Sequence, residues 1–164
     1  MNFIENLELA MKNLHTQGAF LTVKSGDIVN TMTISWGQIG YQWNRPTFTV
    51  MVRKSRYTFD LIEKAKDFTV SIPVESDMKT SLGFCGTKSG RDIDKFKECN
   101  LSLKASNKVD TPIIDAKGVH YECKIVYKQE MSSEFLNEEI KESKYSDNDY
   151  HVLYFGEIVD CYLK

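Results

Sequence analysis

Thr47-Phe48-Thr49-Val50-Met51-Val52-Arg53-Lys54-Ser55-Arg56-Tyr57-Thr58-Phe59-Asp60-Leu61-Ile62 is the stretch on which the reading of this chain turns. Its first half alternates. Phe48, Val50 and Val52 fall on one face and Thr47, Thr49, Met51 and Arg53 on the other, the period of two expected of a half-buried β-strand. Its second half changes period: Leu61 and Ile62, with Ala65 beyond, keep helical spacing, with Thr58 expected as N-cap and Asp60 in the first turn. At the junction stand three cations, Arg53, Lys54 and Arg56, with the hydroxyls of Ser55 and Thr58. A loop ending in a helix N-terminus directs free backbone N–H groups outward, and guanidinium forks beside it match the geometry of an oxyanion. In a chain that is slightly acidic overall, this concentration of donors points to a phosphate rather than to a solvated turn.

Strands surround this stretch on both sides. Phe68 to Pro73 reads as one, and Val119 to Lys128 alternates Val119, Tyr121, Cys123, Ile125 and Tyr127 against polar partners. His151 to Leu163 is a last strand, with a bulge expected at Gly156. Upstream, Ala19 to Lys24 and Ile28 to Trp36 flank Ser25-Gly26-Asp27 as a hairpin. A helix precedes it, with Ile4, Leu7, Met11 and Leu14 as its stripe and Gly18 as its closing residue. Trp36, Tyr41 and Trp43 are suited to flank a ligand ring, but the default for aromatic residues on strands is the core. Short helices are expected near Asp77, Ser89 and Ser132, the last amphipathic and running to Lys141, while Lys144 to Asp149 reads as a solvated polar loop. Six or so strands with scattered helices predict a mainly β fold, an antiparallel barrel with peripheral α-helices rather than βαβ winding.

Composition bounds the function. The 164 residues suit a single domain over 1–164, long enough to bury about 70% of the unfolded surface without disulfides or metal. With a net charge of −2 and both signs interspersed, nucleic-acid and membrane partners are not expected, and the partner is expected to be small. No apolar run approaches the length of a bilayer crossing, and Met1-Asn2-Phe3-Ile4-Glu5-Asn6 lacks the basic and apolar regions of a signal peptide, so a cytoplasmic location is expected. Cys85, Cys99, Cys123 and Cys161 have neither CxxC nor zinc-finger spacing and are expected as reduced thiols. His15, His120 and His151 lie on separate segments without metal-ligand spacing and read as structural.

Gly83-Phe84-Cys85-Gly86-Thr87-Lys88-Ser89-Gly90-Arg91-Asp92 is a second candidate site, glycine-rich enough to let a backbone approach a ligand closely. Thr87 stands where a P-loop requires glycine, which excludes a nucleoside triphosphatase. Ser89 is expected to cap a helix containing Ile93 and Phe96, with Asp92 closing a capping-box-like pair.

Four segments, Asn30-Thr31-Met32-Thr33-Ile34-Ser35-Trp36, Val52 to Thr58, Phe68-Thr69-Val70-Ser71-Ile72-Pro73 and Cys85 to Asp92, together resemble the flavin reductase-like proteins with an FMN-binding split barrel, most closely their flavoredoxin-like branch. The resemblance spans most of the chain and implies an antiparallel FMN-binding split β-barrel. It implies that the turn around Arg53, Ser55, Arg56, Tyr57 and Thr58 holds the FMN phosphate and ribityl chain. Thr31, Met32 and Thr33 would line the isoalloxazine edge, with Trp36 near the ring. Cys85, Gly86, Thr87, Ser89 and Gly90 would sit against the flavin from another side. FMN supplies the redox chemistry, so the absence of a Ser-His-Asp or paired-carboxylate signature is no objection. FMN is expected over FAD, since the cationic loop is sized for one terminal phosphate. Without a GxGxxG fingerprint, NAD(P)H would bind only transiently over the flavin. The resemblance leaves two functions open, an NAD(P)H-dependent flavin reductase-like oxidoreductase and a flavoredoxin-like electron carrier that serves a redox partner protein. It implies a homodimer. No catalytic residue is identified, and Cys85 is expected to be a packing residue beside the flavin rather than a redox-active thiol.

Overall fold

The computed structural model describes residues 1–164, the side chain of Ser76 excepted. The alternating stretch forms β4 (Arg45–Arg53), and helical spacing resumes in α2 (Tyr57–Ile62). Around them run α1 (Leu7–Thr16), β1 (Ala19–Ser25), β2 (Ile28–Ile34), β3 (Gly37–Gln42), β5 (Asp67–Pro73), α3 (Lys79–Thr87), α4 (Lys95–Glu98), β6 (Leu103–Lys104), β7 (Ile113–Ile114), β8 (Gly118–Glu130), α5 (Glu138–Lys144) and β9 (His151–Leu163). Seven strands form one antiparallel sheet in the order β2-β1-β5-β8-β9-β4-β3, and β6 pairs with β7 apart from it. The mainly β, antiparallel architecture with peripheral helices is therefore as the sequence predicts, with β3 in the main sheet and the short β6 and β7 beside it as additional strands.

The β1–β2 hairpin pairs Ala19 with Ile34 and Ser25 with Ile28, so that Gly26-Asp27 is a two-residue loop. Gly26 has φ +59°, which the primed turns of such hairpins require. The unexpected β3 hairpins with β4 through Trp43-Asn44, both also at positive φ. The β3 hairpin and the residue before it carry their aromatic rings outward: Trp36, Tyr41 and Trp43 are 42%, 60% and 57% exposed, a correction to the expectation that they fill the core.

Phe48, Val50 and Val52 of β4 do face the core, but Thr47 and Thr49 on the other side are buried too, so β4 is covered on both faces along most of its length. One cluster joins residues from β1, β2, β4, β5, β8 and β9, and the rings of Phe48 and Tyr121 meet edge to face at 5.2 Å inside it. An irregularity of the ladder does fall at Gly156, but the extra residue belongs to the facing strand β8, and the glycine itself is needed for close packing. A Cβ there would stand 2.6 Å from the Phe68 ring and 2.7 Å from Cys123 Cβ, so glycine is what lets β9 lie against the core. The extra residues in the β8–β9 ladder are Val159, between the pairs of Asp160 and Ile158, and Val126, between those of Ile125 and Tyr127.

The helices differ from expectation in their ends. In α1, Ala10 and Leu14 are buried while Ile4 lies outside the helix and is exposed. Gly18 closes it as predicted, its N–H donating to Asn13 O and Leu14 O. Gly83 to Thr87 belong to α3 and are not a loop. Helix α4 is capped by Asp94, which accepts from the N–H groups of Phe96 and Lys97; Ser89 instead shapes the turn before it, accepting from Arg91 N–H. Ser132 to Lys141 is a 3₁₀ turn over Ser133–Phe135 followed by α5, capped by Asn137. Among the described residues no helix is long and apolar enough to cross a membrane.

Candidate functional site

Strand β2 lies at one end of the sheet order and β4 next to the other end, yet residues of both line one cleft, so the sheet curls until its ends meet there. This cleft, of about 160 Å³, has Met32 to Trp36 on one side and Met51, Arg53, Arg56 and His151 on the other. A second cleft of about 130 Å³ shares Met32 and Arg56 with it and continues between Ser55 to Thr58 and the segment from Cys85 to Arg91, with Asn30 and Lys95 in its wall.

Of the residues expected from sequence to form a site, Thr33, Trp36 and Arg53 line the first cleft and Ser55, Tyr57, Thr58, Cys85, Thr87, Ser89 and Gly90 the second, with Met32 and Arg56 in both. Thr31 and Gly86 stand behind the wall. The Thr31 hydroxyl bonds to Thr22 at 3.1 Å, and a Cβ on Gly86 would lie 3.3 Å from Thr33 Cβ, which is how α3 packs close against β2. Thr58 is not the cap of α2. It is buried and its hydroxyl accepts from Asn30 Nδ2 at 2.9 Å, tying α2 to β2, while Arg56 stands at the cap position with no side-chain cap bond. The glycine that does admit close approach is Gly90, where a Cβ would fall 2.1 Å from Asn30 Oδ1.

The polar segment Lys144 to Asp149 is not merely solvated. Arg53 donates to the carbonyls of Lys144 and Asp149, both at 2.7 Å, and to Asp147 Oδ1 at 3.3 Å. Its guanidinium lies 5.0 Å from the Tyr145 ring centroid. The Asp149 carboxylate accepts from the Ser55 N–H at 3.3 Å and its hydroxyl at 2.5 Å. Two of the expected phosphate donors are thus committed to folding this segment over the loop. Arg91 is likewise committed, paired to Asp60 at 2.6 Å and lying over Tyr57 at 5.3 Å.

Three cations remain. Arg56, which donates to Gly86 O at 3.2 Å, and Lys88 and Lys95 make no ion pair among the described residues, and all three line the second cleft. Burial lowers the Lys95 pKa. Burial, reinforced by the neighbouring Cys99 thiol, pushes Cys85 up to about 12, so it stays a thiol at neutral pH and suits a packing role. At the first cleft, burial and then the charge of Arg53 push His151 down to about 4. His151 Nδ1 and the Tyr145 hydroxyl are 2.7 Å apart, and the Trp36 ring is 5.6 Å from the imidazole. The imidazole is therefore neutral at pH 7.

Sequence reasoning missed Asn30, Lys95, Met51 and His151 as parts of the site. Lys88 and Arg91 lay within the quoted segment without being singled out. Asn30 and Met51 were in segments already read as strands, and only the meeting of β2 with β4 gives them a common cleft. His151 stands at a strand end with no motif around it.

Comparison with known proteins agrees with this architecture. The chain is 28% identical over 126 residues to an uncharacterized protein of Archaeoglobus fulgidus, covering 77% of this chain and 70% of that one. It is 31% identical over 100 residues to the high molecular weight rubredoxin of Moorella thermoacetica, covering 56% of this chain but only 41% of the relative. Among solved structures, the flavoredoxin of Desulfovibrio vulgaris (Miyazaki F) superposes with a TM-score of 0.70 at 23% identity, over 91% of this chain and 70% of the flavoredoxin, which establishes a shared split-barrel fold. The model of the flavin reductase like domain matches residues 11–164. With nearly its whole length inside that match, the chain belongs to the flavin reductase like domain family.

Proposed function

We propose that this chain, as one domain over residues 1–164, binds FMN across the two joined clefts and passes a hydride or electrons through it as an NAD(P)H-dependent flavin reductase-like oxidoreductase. The observation that carries the reading is a single depression in which Arg56, Lys88 and Lys95, none held in an ion pair among the described residues, adjoin a slot walled by Met32, Met51 and Trp36. A cationic end rich in donors and an apolar, aromatic end suit a ligand with a phosphate at one end and a flat ring at the other. The hydroxyls of Thr87 and Ser89 and the close approach at Gly90 add to the fit.

Bound FMN would supply the redox chemistry. In this reading Arg56, Lys88 and the 88–90 backbone hold the phosphate, and Met32 and Thr33 line the ring edge with the buried Thr31 backing them. Trp36 and Met51 confine the ring, and Cys85 packs against the cofactor as an inert wall. Arg53 and Ser55 hold the 144–149 segment over the site, and the neutral His151 closes the inner end of the slot without adding charge.

The purified protein should be yellow, release FMN on denaturation and bleach anaerobically with NADH or NADPH. FAD alone, or a colourless protein that ignores added FMN, would refute the cofactor assignment. A second reading, an electron carrier of the flavoredoxin kind, is favoured by the similarity to a rubredoxin and the fold shared with a flavoredoxin. It is distinguished by a bound flavin that neither nicotinamide bleaches and that a protein donor reduces.

The exposed rings of Trp43 and Tyr127, 5.9 Å apart, support association into a homodimer. Light scattering of the FMN-bound protein checks this, and a monomeric mass would contradict it. The four free cysteines support a reducing, cytoplasmic setting.

A further inference from the structure

The segment 131–150, between β8 and β9, sends a single side chain inside: of its residues only Tyr145 is buried. The Tyr145 hydroxyl meets His151 Nδ1 at 2.7 Å and has no other partner among the described residues. Packing does not call for that hydroxyl. The ring stacks on Tyr150 with centroids 5.1 Å apart and lies under the Arg53 guanidinium, contacts that a phenylalanine would keep. A buried hydroxyl proton needs an acceptor, and the one within its reach is the Nδ1 lone pair. The imidazole, neutral at pH 7, therefore carries its own proton on Nε2. Nε2 makes no bond to the protein, yet among the described residues no fully buried side-chain nitrogen or oxygen lacks a partner, so Nε2 opens on the first cleft, which His151 lines. Neighbouring donors there are already engaged: the Thr33 hydroxyl donates to Leu82 O at 2.6 Å, and Arg53 serves residues 144–149.

We propose that Tyr145 is a positioning residue that fixes the His151 tautomer, so that Nε2–H stands as a preset donor for an acceptor atom on the edge of the ring bound in the slot. This rests on the FMN reading. The donor keeps its proton throughout. Uptake of two electrons and one proton gives the ring a further negative charge, and a hydrogen bond to an ionised acceptor is about twice as strong as one to a neutral acceptor, so Nε2–H favours the reduced form.

Tyr145→Phe keeps the ring and removes only the hydroxyl. Nitrogen NMR of the histidine side chains in the ligand-free wild type should place the His151 proton on Nε2. In Tyr145→Phe the ratio of that tautomer to the other should fall by about three- to ten-fold, the range for one neutral hydrogen bond. Adding FMN to the wild type should shift the Nε2 resonance.

Redox titration of the FMN-bound protein measures the donor itself. His151→Phe should lower the preference for reduced over oxidised FMN by about ten-fold, or about 30 mV for two electrons. Tyr145→Phe should lower it in the wild-type background and change nothing further in the His151→Phe background. A proton on Nδ1 in the wild type, an Nε2 resonance unmoved by FMN, or equal effects of Tyr145→Phe with and without His151 overturns the proposal; the first two need no variant to fold. If the wild type binds no flavin, the FMN reading fails and the ring acceptor with it, while the ligand-free tautomers still decide whether Tyr145 positions His151.

Discussion

Replacing Gly90 by alanine probes the fold and the cleft at once. The added Cβ would lie 2.1 Å from Asn30 Oδ1, whereas ordinary contact begins at 3.4 Å, so the carboxamide must retreat by 3.4 − 2.1 = 1.3 Å or the loop must lift. Asn30 is buried and donates to the buried Thr58 hydroxyl at 2.9 Å, so retreat breaks that bond. Leaving such a pair unmade costs about 1–3 kcal/mol. At about 2–4 °C per kcal/mol for a chain of this size, Tm should fall by about 2–12 °C. If the loop lifts instead, the wall of the second cleft moves and FMN affinity falls by at least about ten-fold. Urea denaturation and an FMN titration measure the two effects on the same protein. The cause is isolated by a cycle with Asn30→Ala, in whose background Gly90→Ala should cost much less; the Tyr57 ring, 3.2 Å from the new atom, needs to give only a few tenths of an ångström. Wild-type stability together with wild-type affinity, or strictly additive effects in the cycle, would refute the reasoning.

Arg53→Ala removes the donors that hold residues 144–149, and should destabilise the protein by about 1–3 kcal/mol while raising amide hydrogen exchange in that segment; unchanged exchange there would mean that Arg53 does not hold it. The His151 pKa is about 4 in the folded protein against an ordinary 6.5, so the unfolded chain binds the extra proton first as pH falls. Stability is fully present above pH 6.5 and declines through that window towards pH 4, with a slope of at most about 1.4 kcal/mol per pH unit from this residue. Burial lowers His120 as well, so the measurement is the difference between wild type and His151→Gln, whose decline should be shallower; parallel curves would exclude His151. Cys85→Ser should keep bound FMN and its rate of reduction within a few-fold, and loss of reduction with FMN still bound would make the thiol a participant. Gly156→Ala should be destabilised by about 1–3 kcal/mol without altering the cleft, because its new atom meets the Phe68 ring in the core; an unchanged urea midpoint would count against that packing.

The sequence exposes local periodicity well and long-range pairing poorly. Thr47 to Arg53, Phe68 to Pro73 and Val119 to Lys128 declare themselves as strands because one face of each is apolar at a period of two. Gly37-Gln38-Ile39-Gly40-Tyr41-Gln42 does not, having two glycines and little apolar surface, and becomes a strand by pairing with β4. Gly83 and Gly86 argue locally for a loop, yet packing of α3 against β2 overrides their low helix propensity. Thr58 carries a hydroxyl equally suited to capping and to a buried bridge, and only the nearness of Asn30, 28 residues away, decides. The Arg53 and Ser55 donors were legible as an anion site, but their pairing with a segment more than 90 residues distant was not. Nor was the burial of Lys95, since the carbonyls that hold it come from β2 and α3.

The meeting of β2 with β4 across the cleft bears on the order in which the molecule is made. The strands β2 and β4 stand five places apart in the sheet order although only Ser35, Trp36 and the β3 strand with its turn separate them in the chain, and the cleft they share also needs β9, which brings His151 beside Arg53. A chain that has assembled the middle of the sheet still lacks the site, so ligand affinity acts as a reporter of completed closure. Because β2 ends at Ile34 and β4 begins at Arg45, bringing these two together costs little loop entropy; the costly step for the site is the pairing of β4 with β9, Val52 with Val152, which closes a far longer stretch of chain. A cofactor that recognises only the closed form leaves the refolding rate unchanged and slows unfolding, raising stability with the logarithm of its own concentration. Supply of the cofactor would then set how long each copy of the protein persists in its working form.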